Sequence, residues 1–387
     1  MNSNQLIVIE ELRSNFLNEV NNSNSISTLT TILLNDSLYR NLLDDIDYSG
    51  EDDYSSFNDV EMFYLYIHKQ RDLNEKKNRS ASTKKEYLRD LLLFYKQLME
   101  NAHHFELAIE QITGFQLFKH LNHRHIRKYQ EWLKDAPLGK SGKPYSVATL
   151  NRKTVIIKSF LAFLFNTKYI SIPLHEKVLS SSVRSNDRPN KEISSSEVIA
   201  ILDYFRNNSI VYGILAVLAT TGIRVAELCK ARVSDIDYFE GDYWLTVIGK
   251  GNEERQVLIH SNVLQAIINF RKRRRLDFKV GPGDESPLFT SAKGKAYNYK
   301  YLSNFLIRKI NAAELDIIRL RKNPITPHTF RHGFALISEE QGVDIRKIQE
   351  SLHHKDIRTT MIYLNRRQAR KNNAAHAWKN SNVIQNI

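Results

Sequence analysis

Residues Thr326 to Leu364 read TPHTFRHGFALISEEQGVDIRKIQESLHHKDIRTTMIYL, gathering His328, Arg331, His332, His353, His354 and Tyr363 into one short stretch. Local signals place these groups on short, tightly joined helices. Thr326 is an N-cap, and Pro327 stands at the first helical position, where a missing N–H costs nothing. His328 and Arg331, three apart, then share one face. Gly342 stops that helix, Asp344 caps a second over Ile345 to Leu352, and Asp356 caps a third that carries Tyr363. A phenol, a guanidinium and imidazoles, with no carboxylate required among them, suit an anionic phosphate better than an acyl group or a metal.

The rest of the chain agrees in charge. It has 387 residues and a formal net charge of +13, with a pI near 9.5. That length supports two or three domains with their own cores. The excess of cations favours a polyanionic partner, nucleic acid before membrane. The start, MNSNQLIVIEELRS, lacks the basic opening and apolar run of a signal peptide, and the longest apolar run, Ile210 to Ala219, is too short to span a bilayer. A cytoplasmic protein without membrane association is expected. Cys229 is the single cysteine, which excludes an internal disulfide and reads as core.

Upstream of the opening stretch, Ile210 to Ala219 is apolar on all sides and should be a buried helix. It runs into Thr220-Thr221-Gly222-Ile223-Arg224-Val225-Ala226-Glu227-Leu228, which sets Arg224 at a helix start on a rigid scaffold. Its planar fork can bind two phosphate oxygens at once; standing alone, it would read as a surface ion pair with Glu227. Tyr243 to Ile248 and Gln256 to Ile259 alternate and are joined by Gly249-Lys250-Gly251-Asn252, a hairpin signature. The run Arg271 to Arg275, with Arg271 and Arg273, reads as a phosphate-contacting patch. An amphipathic helix around Tyr297 to Ile310 offers Asn298, Tyr299 and Lys300 to the bases of a major groove.

Taken together these segments resemble the tyrosine recombinases, or phage integrase family. The family's H-x-x-R-H stands as His328-Thr329-Phe330-Arg331-His332, its L-G-H as Leu352-His353-His354, and its T-T-x-x-Y as Thr359-Thr360-Met361-Ile362-Tyr363. Its T-G-x-R-x-x-E-L matches Thr221 to Leu228, with Asp235 following, and its G-K-G-x-x-x-R turn matches Gly249 to Arg255. One departure is His353, where the family usually carries glycine; a positive φ there would strain a histidine.

The N-terminal half is read as helical. Residues 1–57 form an extension of helical pieces, with stripes at Leu6, Ile9, Leu12 and Phe16 and at Leu29 to Leu43, and an acidic cluster around Asp44 to Asp53. Residues 58–180 carry a stripe at Tyr87, Leu91, Phe94 and Leu98 behind Ser82-Thr83, a helix at Ile126 to Leu133, and a long helix capped by Ser146. Lys143, Asn151, Arg152, Lys153 and Lys158 flank or line its polar side and are candidate DNA contacts. Residues 181–193 are polar, contain Pro189 and read as a linker; 194–387 open with a capping box, Ser194 and Glu197. The expected architecture is mainly α with a small antiparallel β-sheet. The resemblance implies an all-helical core-binding domain followed by an α+β catalytic domain.

The resemblance also implies the chemistry. Tyr363 attacks a DNA phosphate to give a 3′-phosphotyrosyl bond. Arg224, Arg331 and His354 stabilise the transition state, His328 is the base, and Lys250 protonates the leaving oxygen. No ATP, metal or other cofactor is required. The implied partners are double-stranded DNA with paired recombination sites, three further copies in a tetramer held by the C-terminal tail (Ala374, Ala375, Ala377, Trp378 and Val383), and an accessory factor that sets direction. A monomeric type IB topoisomerase-like enzyme would use similar groups, and the ordered integrase motifs argue against it. The complete residue set argues against an inactive DNA-binding protein.

Overall fold

The computed structural model describes residues 14–15, 18–22, 25–49, 54–112, 115–183, 192–249, 253–277, 279, 283–357, 360–361, 364, 372–378 and 381. The chain forms two compact units, Met1–Arg188 and Pro189–Ile387. Lys250, Tyr363, Val383 and the stripe at Leu6, Ile9, Leu12 and Phe16 lie outside the described residues.

The first unit is built around a short helix that is buried along its whole length. Its longer helices are α1 (Ile26–Leu33), α2 (Tyr39–Ser49), α3 (Asp59–His68), α4 (Ala81–Glu100), α5 (His123–Asp135) and α6 (Val147–Asn166). Helix α3 starts in a capping box, with Asn58 Oδ1 accepting from the N–H groups of Val60 and Glu61 while Glu61 accepts from Asn58 N–H. Every residue of α3 is buried, so its polar groups must find partners inside. Asp59 accepts from Tyr169 Oη at 2.7 Å, and Tyr66 Oη donates to Ser159 at 2.9 Å. Around it packs an aromatic core, with Phe63 stacked on Phe160 at 5.0 Å and edge-on to Phe118 at 5.6 Å.

The residues before α3 belong to this same core. Leu33, Leu42, Ile46 and Phe57 pack with α3 to α6. Leu38 N–H donates to Tyr64 Oη at 3.1 Å, and the Leu33 carbonyl meets His68 Nε2 at 2.9 Å. The stripe Leu29 to Leu43 is two helices rather than one, because α1 ends at Leu33 and Asn35 caps a turn through Ser37 N–H. The cap of α4 is Ser80, not Ser82 or Thr83.

The second unit comprises α7 (Ser195–Tyr204), α8 (Ser209–Thr221), α9 (Val225–Leu228), a meander β1 (Ile236–Phe239), β2 (Asp242–Ile248) and β3 (Glu254–Ile259), then α10 (Ser261–Arg273), α11 (Tyr299–Asn311), α12 (Pro327–Glu340) and α13 (Ile345–Leu352). The buried apolar run is α8, the centre of an aliphatic core. Gly213 lets α10 close on it, since a Cβ there would stand 2.9 Å from the Ala266 carbonyl oxygen. The sheet order is β1-β2-β3, all antiparallel. Leu245, Val247, Val257 and Ile259 alternate inward. Strand β1 was not anticipated; its turn, Glu240-Gly241, has φ of 51° and 92°, the two positive values a tight two-residue hairpin needs. The structure is thus mainly helical with one small antiparallel sheet.

Candidate active site

The site is assembled on Arg331. Helix α12 begins as expected, with Thr326 Oγ1 accepting from Thr329 N–H and Pro327 in the first turn. Arg331 lies one turn in and is 1% exposed. Its Nη1 donates to the Gly222 carbonyl at 2.7 Å, and its Nη2 donates to the Leu352 carbonyl and to His354 Nε2, the latter at 3.0 Å. One guanidinium therefore fastens together the ends of α8, α12 and α13. A lysine, with a single tetrahedral ammonium, would not span this fork.

Gly222 is required twice over. It ends α8 in the left-handed region at φ +61°, and a Cβ there would stand 2.8 Å from Leu352 Cδ2 and 2.9 Å from the Phe334 ring. Two residues on, Arg224 caps α9, with Nη1 on Glu227 Oε1 at 2.7 Å and its side chain 40% exposed. The ion pair with Glu227 is real, and it orients the arginine. Burial alone would raise the Glu227 pKa, but the Arg224 N–H and the guanidinium groups of Arg224 and Arg255 outweigh it and hold the carboxyl low. Arg255, on β3, also donates to the Ser351 carbonyl. Glu227 and Arg255 thus organise the site without having been singled out for it, and only their place in the motifs signalled them.

His354 is buried, and its pKa falls to about 4, first from burial and then from the positive charges of Arg331, Arg224, His328 and Arg255. At neutral pH it carries no charge. Because Arg331 Nη2 is a donor only, Nε2 must hold the lone pair, so Nδ1 carries the proton and donates to Thr360 Oγ1 at 2.9 Å. Thr360 is fully buried and accepts the hydrogen bond from the proton that the Arg331 contact leaves on Nδ1, a role its place in the third motif did not reveal. His328 is exposed at the start of α12, edge-on to His332 at 5.0 Å. Arg224, His328, Arg331 and His354 therefore converge, while Lys250 and Tyr363 belong to segments outside the described residues, three residues from Glu253 and one from Leu364.

The candidate DNA contacts divide sharply. Arg271 is corrected: it is 1% exposed and donates to the Asp277 and Pro287 carbonyls, Asp284 and Ser286, so its charge is used to fix its own loop. Lys153 is corrected likewise, buried on Asp90 at 2.8 Å, with Arg152 on the same carboxylate at 2.9 Å. Lys158 reaches the Val178 carbonyl at 3.4 Å. Asn151 is half-buried, and Lys143, Arg273, Tyr299 and Lys300 are exposed. Asn298 is committed to capping α11 through Lys300 and Tyr301 N–H. In the tail, Ala374, Ala375 and Trp378 are exposed. Among the described residues no helix is long and apolar enough to cross a membrane, and no group of acidic, histidine or cysteine residues is arranged to hold a metal ion.

A buried arginine joining three chain segments stands beside a half-exposed arginine and a neutral histidine, an arrangement whose chemistry suits an anionic group. Comparison with known proteins names it. The Phage integrase family matches residues 191–370, and the Phage integrase, N-terminal SAM-like domain matches 70–168. A "Tyrosine recombinase XerC" of Herpetosiphon aurantiacus is 32% identical over 227 residues, 57% of this chain and 70% of the relative. A "Tyrosine recombinase" of Agathobacter rectalis is 28% identical over 79% of this chain and 90% of its own. The fold is shared with XerH site-specific recombinase bound to palindromic difH substrate (TM-score 0.55, 16% identity, covering 95% of this chain and 88% of that one) and with a lambda integrase dimer bound to a COC′ core site (0.57, 13%, 84% and 85%). The chain belongs to the tyrosine recombinase family, the site-specific DNA recombinases.

Proposed function

We propose that this chain cuts and rejoins double-stranded DNA through Tyr363. The phenolic oxygen forms a bond to phosphorus as the bond from phosphorus to the 5′-oxygen breaks, leaving a 3′-phosphotyrosyl link. The phenol proton passes to His328, and Lys250 protonates the departing 5′-oxygen. The ester bond is kept, so rejoining is the same step reversed and needs no ATP. Arg224 and Arg331 stabilise the charge that grows on the non-bridging oxygens. Arg331 acts from a buried position, where its field is little screened. His354, neutral in the free protein, gains a second donor at Nε2 when the phosphate anion favours its protonation.

The observation that carries this reading is the meeting of three motif segments remote in sequence, where Arg331 bonds to Gly222 in one and to Leu352 and His354 in another. Two copies on each of two paired sites would exchange strands through a Holliday junction, in integration and excision of a mobile element or in resolution of DNA dimers. The exposed Trp378 segment supports a C-terminal tail that docks on a neighbouring copy. An accessory factor sets direction.

The test uses a nicked duplex carrying the sequence this protein selects from a randomised pool, in a chelating buffer. A covalent protein–DNA adduct is expected, lost in Tyr363→Phe. An adduct that persists in Tyr363→Phe, or none with the parent, overturns the assignment. Dependence of product on two copies of the site separates strand exchange from topoisomerase-like relaxation.

A further inference from the structure

His353 stands in the left-handed region, φ 51° and ψ 52°, at the end of α13. The turn is closed by His353 N–H on the Glu350 carbonyl at 2.8 Å and His354 N–H on the Gln349 carbonyl at 3.0 Å, a helix end that ordinarily selects glycine. A histidine held in a conformation that disfavours it invites the question of what its side chain does there. Its Nε2 meets Glu253 Oε2 at 2.7 Å, and Lys355 Nζ meets the other oxygen, Oε1, at 2.8 Å. These two groups draw the Glu253 carboxyl below its usual range, Lys355 first and His353 next.

Glu253 is the base of the β2–β3 turn, where its carbonyl accepts from Gly249 N–H at 2.8 Å. The residues between are Lys250, Gly251 and Asn252. Two residues further, Arg255 ties β3 to the same helix end through the Ser351 carbonyl, at 2.6 Å, and to Glu227 at 2.9 Å. The hairpin is thus gripped at two points by residues 351–355, the segment that also delivers His354 to Arg331.

We infer that His353, with Lys355, is a positioning residue: by bracing Glu253 it supports the acid step proposed for Lys250. The inference rests on the reading of Lys250 as the acid for the leaving oxygen and deepens it. The brace lies at the surface, with side chains 37% to 78% exposed, so each contact shifts a population rather than locking it. About a three- to five-fold effect is the scale for an ion pair of this kind. Glycine at 353 would relieve the backbone and release the brace together, moving stability and chemistry in opposite directions.

The experiment compares cleavage of the selected nicked duplex with that of the same duplex carrying sulfur in place of the bridging 5′-oxygen, a leaving group that departs without an acid. With oxygen, His353→Gly and Glu253→Gln are each expected to cut about three- to five-fold slower than the parent, and the double variant no slower than the singles. With sulfur, all are expected to match the parent, while His353→Gly melts no lower than the parent. Parental cutting of the oxygen substrate by His353→Gly, or a deficit undiminished with sulfur, overturns the brace alone. Lys250→Ala is the control: a loss on oxygen restored by sulfur upholds the acid. A loss that sulfur does not restore overturns the acid and the brace resting on it.

Discussion

Both units bury charged side chains of both signs, but the most deeply buried are carboxyls in the first and arginines in the second. In the first unit the deepest charges are carboxyls, Asp59, Glu61 and Asp90, each at most 6% exposed. Each is answered by a partner that serves only packing: Tyr169 for Asp59, the cap of α3 for Glu61, Lys153 for Asp90. In the second unit Arg331 donates to two carbonyl oxygens and an imidazole, and, after burial itself, its positive charge is the next cause that lowers the His354 pKa. A buried charge matched by a counter-ion stabilises a fold at best modestly. One matched by dipoles keeps its field for an incoming anion. That difference separates Asp90 in the first unit, met by Lys153, from Arg331 in the second, met by carbonyl oxygens.

The largest expected effect is on cleavage. Arg224→Ala and Arg331→Lys should each slow adduct formation by about 10³-fold, the scale for losing a donor to a developing oxyanion. Lys153→Met, which leaves Asp90 to Arg152 and removes its buried partner, should leave the single-turnover rate on saturating DNA within about two-fold while costing the first unit about 1–3 kcal/mol. Cleavage assays paired with thermal melts check this. Equal rate losses from Lys153 and Arg331 would break the contrast.

Acidity gives the next contrast. Burial outweighs the bonds from Tyr169 and the Phe118 N–H and pushes the Asp59 pKa up to about 7. An acid whose folded pKa exceeds its unfolded value holds its proton better when folded. The first unit therefore loses up to about 4 kcal/mol as pH rises from about 4 to 7. His354 is the reverse case: its folded pKa of about 4 lies below the unfolded value, so the unfolded chain binds the proton better. The second unit should lose up to about 3 kcal/mol as pH falls from about 6.5 to 4. Hydrogen exchange followed by region across this range reads both slopes, and Asp59→Asn and His354→Gln should each flatten its own.

Close packing at the junction of motifs comes third. Gly222→Ala adds a methyl 2.8 Å from Leu352 Cδ2 at a positive φ, and should destabilise the second unit by about 2–3 kcal/mol. The melt of the first unit should not move.

How much of this was legible beforehand follows the same division. The helices of both units were readable where a cap met a periodic stripe, as at Ser146, Ser194, Thr326 and Asp344. The strain at His353 was readable because helix ends demand φ rather than side-chain type. The convergence of Arg224, His328, Arg331 and His354 was legible only through motif order, since spacing within one segment says nothing of distances between segments. What stayed hidden was who neutralises whom. Nothing local told Arg271 from Arg273, two residues apart on α10, yet one is buried against Asp277, Asp284, Ser286 and Pro287 and the other is exposed. Lys153 and Lys143 pose the same problem, and only the presence of Asp90 on a distant helix decides it. Strand β1 escaped because its burial pattern has a single inward residue, Ile236.

Those two pairs supply the smallest effect and the finest test. Exposed cations add affinity for DNA by releasing counter-ions, so removing one should lower the slope of log affinity against log salt by about 0.9. Lys143→Ala in the first unit and Arg273→Ala in the second should each do so, weakening all duplexes alike. Arg271→Met and Lys153→Met remove charges of the same sign that are already engaged with Asp284 and Asp90. Their slopes should stay at the parental value while their melting temperatures fall, because each removes a partner from a carboxylate rather than from a phosphate. Measured by titration at several salt concentrations, a drop in slope for the buried pair would mean that DNA draws these side chains out of their ion pairs. The division between charges kept for the fold and charges kept for the partner would then hold only for the free protein.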